Sequence, residues 1–448
     1  MDTPICDFVQ NYLAAAPIRF HMPGHKGRPG IGMEARDITE IPGADSLYEA
    51  AGIIRQSEAN ASRLFGVPTF YSAEGSSLCI RAMLYLARLW ALREGRALRI
   101  AAGRNAHRTF LSALALLGLE ADWLVPAAQA SYLACPLTAE DVEKYLAAAP
   151  EKPAAVYLTD PDYLGNRVPL QEIAAVCRCR GVPLLVDGAH AAYLKFLPGG
   201  GHPADAGADL CCASAHKTLP VLTGGAYLHL ARGLPDWLRD SAKDALALFG
   251  STSPSYLILQ SLDAANARLA GDWPARLAEL CGRAAALRAR IAARGIPCVG
   301  DEPGKLTLTP RAFGWRGDEL AAHLANSGIW CEFADPDFTV FLFSPDNDPA
   351  ELELLERALT VLPRRAPLPP AAPVFSLPER VLSVREAMLA PFERLPVEAC
   401  LGRVLGPCNV ACPPAVPILM PGERIGEAAL AAFAYYGIRD CAVVRQDV

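Results

Sequence analysis

Lysine is the scarcest charged residue in this 448-residue chain: Lys26, Lys144, Lys152, Lys195, Lys217, Lys243 and Lys305 are all there is. Basic residues are outnumbered, 42 Lys and Arg against 48 Asp and Glu, and the net charge of -6 leaves no basic footprint for nucleic acid. No apolar run reaches the roughly 20 residues that a bilayer-spanning helix needs. The start, Met1-Asp2-Thr3-Pro4, lacks the basic and apolar regions of a secretion signal, so a cytoplasmic protein without a membrane partner is expected. Fourteen cysteines are present but no CxxC pair. Cys177 and Cys179 share a helical pattern and Cys211-Cys212 lies along a strand, so free buried thiols are expected and no metal. With 52% hydrophobic and 20% charged residues, the composition is that of a globular chain with a large core and room for two domains.

Against that scarcity one lysine is set apart. The apolar run from Ala208 to Cys212 reads as a short buried strand. It leads into Ala213-Ser214-Ala215-His216-Lys217-Thr218, with Gly224-Gly225 beyond. A half-buried lysine at a strand end loses its proton cheaply and can condense with an aldehyde. The alternative is an ordinary lysine in a surface loop. A second buried strand, Val182 to Val186, runs into Asp187-Gly188-Ala189-His190, and a carboxylate there must find a partner.

Other stretches carry two readings each. Glu74-Gly75-Ser76-Ser77 opens a long apolar helix, Leu78 to Arg93; its hydroxyls can cap the free amides, or the same amides can take an anion. Arg104-Asn105-Ala106-His107-Arg108 follows the strand Ala97–Ala102 at its carboxyl end, where ligands of parallel sheets collect. A lone histidine there, His107, reads as a helix cap or a surface residue. Asp160 and Asp162, in Thr159–Gly165, are either a solvated turn or an attraction for a cationic substrate. Phe249–Tyr256, with Thr252 and Ser253, precedes a helix as a capping region. His21–Gly27 is a breaker-rich turn.

From residue 37 to 290, helical and strand patterns alternate, which predicts a mostly parallel sheet covered on both faces. Residues 291–363 change to short strands and helices, a smaller α+β domain. Arg364–Pro378 is a proline-rich connector opening the segment 364–448, and 1–36 forms an N-terminal segment.

Ser214-Ala215-His216-Lys217-Thr218, together with Phe20-His21-Met22-Pro23-Gly24-His25-Lys26-Gly27, Asp187-Gly188-Ala189-His190 and Pro413-Pro414-Ala415-Val416-Pro417, resembles the Orn/Lys/Arg decarboxylase family. The similarity is to the short form, without the receiver-like domain that larger members carry before the first motif. It implies an α/β fold of the pyridoxal-phosphate (PLP) aspartate-aminotransferase type, fold type I, with a smaller C-terminal α+β domain. By the same resemblance Lys217 holds the cofactor's aldehyde and Asp187 pairs with the ring nitrogen. His190 lies beside the ring and His107 stacks on it. Gly75, Ser76, Ser77, Ser214 and His216 hold the phosphate, and Thr252 and Ser253 reach the phosphate of a partner subunit. Glu74 stands where relatives often have asparagine, and Ala415 and Cys412 stand where they have glycine and an aromatic.

The reaction implied is PLP-dependent decarboxylation of arginine, lysine or ornithine to the amine and CO2, in a homodimer with shared active sites or a higher oligomer. Two rivals remain. An aminotransferase or carbon–sulfur lyase of the same fold would use the same lysine and aspartate, and an aminotransferase would clamp the substrate carboxylate with an arginine such as Arg311, Arg316 or Arg357. A catalytically silent relative would act as a regulatory subunit.

Overall fold

The computed structural model describes residues 1–126, 131–407, 411–412 and 416–446. In chain order the elements begin with α1 (Pro4–Ala14), α2 (Ile53–Phe65), β1 (Thr69–Ser72), α3 (Gly75–Glu94), β2 (Ala97–Gly103) and α4 (Arg108–Leu117). They continue with β3 (Glu120–Leu124), α5 (Ala139–Ala148), β4 (Pro153–Thr159), α6 (Leu170–Arg180), β5 (Leu184–Asp187), β6 (Leu210–Ala213), α7 (Ala215–Thr218) and β7 (Ala226–Leu230). After the helices α8 (Asp236–Asp240), α9 (Ala242–Ala247), α10 (Tyr256–Leu269) and α11 (Trp273–Ala293) come β8 (Cys298–Val299), β9 (Lys305–Leu308), α12 (Gly317–Ala325), β10 (Phe333–Ala334), β11 (Thr339–Leu342) and α13 (Pro349–Thr360). The last are α14 (Val384–Leu389), β12 (Phe392–Pro396), β13 (Ala411–Cys412), β14 (Val416–Pro417), α15 (Glu427–Tyr435) and β15 (Asp440–Val444). Residues 413–415 of the proline motif lie outside the described residues.

The chain divides into two compact units, Met1–Glu94 with Pro183–Leu277, and Gly95–Val182 with Ala278–Val448. In the first, the strands lie in the order β1-β7-β6-β5. β5 and β6 are parallel, with Asp187 opposite Cys212, while β7 runs antiparallel to both β6 and β1. All four residues of β5 and of β6 are buried. That is why they read as unbroken apolar runs rather than as alternation. Cys211 and Cys212 are thus core thiols, as expected of small hydrophobes. Burial holds His229 of β7 neutral, its pKa lowered to about 3, with its Nδ1 2.9 Å from the Thr69 hydroxyl. Its ring packs 4.6 Å from Phe65.

Helix α1 is tied into this unit by a buried carboxylate. Asp263 on α10 accepts the backbone N–H groups of Ile5 and Cys6 at 2.9 and 3.0 Å and the Ser57 hydroxyl at 2.6 Å. These amides have no intrahelical acceptor at a helix start, so a distant side chain does the capping. The His21–Gly27 stretch is a turn in which His25 faces Asp37 at 3.2 Å.

In the second unit β2 pairs in parallel with β3 on one side and β4 on the other. The smaller sheet is antiparallel, ordered β10-β11-β9-β8. Its core, with Leu306, Leu308, Phe341, Leu320 and Leu355, is covered by α12 and α13. A further cluster around Phe433, Ile418, Leu405 and Val443 forms the core of the C-terminal segment. There β12 pairs antiparallel with β15. Residues 364–378 contain no helix or strand, as the proline content requires.

Candidate active site

The first unit brings most of the sequence's candidates together. Lys217 lies in the short turn α7, directly after β6, and its Nζ is 3.2 Å from Nε2 of His190. His190 is buried three residues beyond Asp187, at the carboxyl end of β5. The side chain of Asp187 is nearly enclosed, 2% exposed, and one oxygen, Oδ1, accepts the Ala189 amide at 3.2 Å and the Cys212 thiol at 3.5 Å. The same carboxylate adds to the burial that pushes the Cys79 thiol up to about 12, so Cys79 on α3 stays protonated beside it.

Ser214 and the start of α3 converge. Its hydroxyl donates to Ser76 Oγ at 2.8 Å, across 138 residues of sequence. The approach is set by backbone. Gly75 donates its amide to the Gly224 carbonyl at 2.7 Å. Gly224 has φ +102°, and a Cβ there would stand 3.0 Å from the Ala73 carbonyl oxygen and 2.9 Å from Ile258, so only glycine fits. Gly75 also has positive φ, and a Cβ on it would meet nothing within 4 Å, which leaves open space in front of the helix start. Ser77 is half-buried in the same turn. His216, half-buried in the same turn as Lys217, has its Nδ1 3.0 Å from the Gly225 carbonyl. The hydroxyl of Thr218 is buried without a protein partner among the described residues.

Glu74, the acid at this helix start, turns to the neighbouring loop: its Oε1 accepts the Ser251 amide at 2.6 Å. It thereby holds the stretch carrying Thr252 and Ser253, both exposed. The capping role expected of that stretch is not made by a side chain; Ser255 precedes α10 without a cap hydrogen bond.

His107 belongs to the second unit. It is the N-cap of α4, its Nδ1 accepting the Thr109 amide at 3.2 Å, with the Thr109 hydroxyl at 3.0 Å. An Nδ1 that accepts carries no proton, so the ring's hydrogen sits on Nε2. Asp160 and Asp162 are neither a solvated turn nor an open attraction for a cation. Asp160 is fully buried against Arg167 at 3.0 Å and the Val168 amide at 2.9 Å; Asp162 takes the amides of Leu164 and Asn166. Burial pushes both carboxyls up to about 6. Of the arginines an aminotransferase would need, Arg311 donates to the Pro369 carbonyl and Arg316 pairs with Asp318 at 2.6 Å. Arg357 lies exposed in the last turn of α13.

Sequence reading missed three groups here: Cys212, Glu74 as a tether, and Thr218. Each lies within a motif already singled out, but nothing in the sequence marks which way its side chain turns.

A family described as "Orn/Lys/Arg decarboxylase, major domain" matches residues 3–302, and its C-terminal domain matches 375–440. The chain belongs to the Orn/Lys/Arg decarboxylase family. An arginine decarboxylase of Halalkalibacterium halodurans is 30% identical over 468 residues, covering 96% of this chain and 92% of that protein. The solved lysine decarboxylase LdcF of Francisella novicida is 16% identical, covers 99% of this chain and 81% of that one, and has a TM-score of 0.79. The constitutive lysine decarboxylase of E. coli gives 19%, 99%, 82% and 0.78. The fold is that of PLP-dependent fold type I enzymes, and the chain is a PLP-dependent amino-acid decarboxylase. The donor set fits PLP. An amine, a buried carboxylate, and a helix start with two hydroxyls in front of open space correspond to its aldehyde, ring nitrogen and phosphate. No helix among the described residues is long and apolar enough to cross a membrane.

Proposed function

We propose that this decarboxylase acts on arginine, releasing CO2 and the amine, as a cytoplasmic homodimer. Relatives that match nearly its whole length carry the name arginine decarboxylase, at 30% and 28% identity. The observation that carries the catalytic reading is the 3.2 Å approach of Lys217 Nζ to His190, three residues from Asp187.

When bound, PLP supplies an electron sink for the pair left behind as the carboxylate departs. Lys217 is the amine that holds its aldehyde. His190, on that amine, keeps Lys217 oriented and exchanges protons with it. Asp187, buried and steadied by Ala189 and Cys212, keeps the ring nitrogen protonated. Ser76, Ser77 and the first amides of α3, with Gly75, Ser214 and His216, hold the phosphate. Thr252 and Ser253, exposed on one chain and tethered by Glu74, serve the phosphate of the second copy. By the family resemblance His107 would cover the ring, and either it or Lys217 would return a proton to Cα, so that each lost CO2 is replaced by one hydrogen. Thr109 fixes the tautomer with which His107 does this.

Incubating the enzyme separately with arginine, lysine and ornithine, and measuring CO2 and amine, tests the assignment. Arginine is expected to be the preferred substrate, with equal CO2 and amine. Turnover only in the presence of a keto-acid acceptor, without CO2, contradicts it.

A further inference from the structure

In the second unit a buried ion pair joins positions 319 residues apart. Arg104 donates through both terminal nitrogens to both oxygens of Glu423, at 2.7 and 2.6 Å, and the two side chains are 2% and 4% exposed. The guanidinium lies 5.7 Å from the Trp123 ring centre and 5.4 Å from that of Phe375. Glu423 is itself held by the Met420 amide at 2.8 Å. Arg104 directly follows β2, and three residues on stands His107, pinned as the cap of α4. Asn105 and Ala106 between them are buried.

The far end of α4 is gripped by the same segment of chain. Arg385, on α14, donates to the Ala115 carbonyl and, at 3.4 Å, to that of Leu116, where a helix leaves its last carbonyls unsatisfied and welcomes a cation. A fully desolvated Arg–Glu pair is a costly way to hold a core together, because apolar side chains of the same volume do so at least as well. What a planar fork on a carboxylate adds is direction.

We propose that Arg104 and Glu423 are a positioning pair: through it the C-terminal segment sets the loop that presents His107. The proposal rests on the reading of His107 above. It makes the C-terminal domain part of the catalytic apparatus without contributing a group to the chemistry.

The test uses the full chain carrying Arg104→Met with Glu423→Leu, beside Glu423→Gln and His107→Phe. The double variant is expected to fold with a denaturation midpoint close to wild type. Amide exchange across residues 104–109 of the cofactor-free protein is expected to rise about tenfold, and kcat to fall by about tenfold or more with little change in KM. Should the double variant not fold, Glu423→Gln, which keeps an acceptor oxygen, gives the same exchange reading. Unchanged exchange and unchanged kcat in a folded variant overturn the proposal. If His107→Phe turns over like wild type, the role given to His107 is wrong; faster exchange then still upholds the pair, and unchanged exchange removes it.

Discussion

Lys217 Nζ sits 3.2 Å from Nε2 of His190, although the two residues come from different strand ends, 27 positions apart. A lysine in that setting can act as a nucleophile only if it can shed its proton, and arginine cannot do so. Lys217→Arg keeps charge and approximate length, yet is expected to abolish CO2 release as completely as Lys217→Ala. Residual turnover of Lys217→Arg above that of Lys217→Ala in a CO2-release assay contradicts the nucleophile role.

Asp187→Asn keeps the shape of the carboxylate and removes its charge. With the proposed role of keeping the ring nitrogen protonated removed, kcat is expected to fall by about 10²-fold or more, the scale of other pre-organised electrostatic contacts. Steady-state kinetics check it, with thermal unfolding of the cofactor-free protein as a control for folding.

Ser214 and Ser76 are hydrogen-bonded to each other at 2.8 Å across the start of α3. Removing either hydroxyl costs about 1 kcal/mol, the net worth of one hydrogen bond. Ser76→Ala and Ser214→Ala are each expected to weaken PLP binding by about fivefold. The double variant is expected to fall short of the product of the two, because the hydroxyls share one bond. Titration of the cofactor-free protein with PLP, followed by fluorescence, measures this.

Acid sensitivity has an identifiable contributor away from the site. His229 is buried neutral, its pKa lowered to about 3, so below its ordinary value near 6.5 the unfolded chain binds a proton that the folded chain does not. Its contribution to stability is complete above pH 6.5 and is lost as pH falls from there toward 3. At pH 5 the loss is about 2 kcal/mol. His229→Phe, which suits the ring cluster with Phe65 and Tyr227, is expected to show a smaller drop between pH 7 and 5. Urea denaturation at the two pH values decides it.

The second unit holds a buried pair whose loss is a matter of stability. Lys305 Nζ lies 2.6 Å from Glu302, both side chains enclosed, and donates at 3.3 Å to the carbonyls of Asp162 and Tyr163. Glu302→Gln leaves the ammonium with neutral acceptors only. A loss of about 3–5 kcal/mol is expected from chemical denaturation.

Most strands of the larger sheet were legible, the buried parallel ones as apolar runs ended by glycine, proline or a polar residue, as where β5 ends on Asp187; β7, Ala226–Leu230, was not. The order of Asp187, His190 and Lys217 along two strand ends made the proximity of these three candidates legible, since neighbouring parallel strands bring their carboxyl ends to one place. Side-chain direction was not legible. Asp160 and Asp162 look like a solvated acidic turn, and only the fold turns both inward to accept amides and Arg167. Glu74 looks like a misfit at an anion site until Ser251 appears as its donor. Arg104 stands in the Arg104–Arg108 stretch after β2, but no local pattern links it to Glu423, 319 residues on.

Reducing the PLP-loaded enzyme with borohydride and mapping the tagged peptide tests the centre of this account most directly. The label is expected on Lys217 alone of the seven lysines. A label on any other lysine, or none on Lys217 in enzyme that still releases CO2, contradicts it.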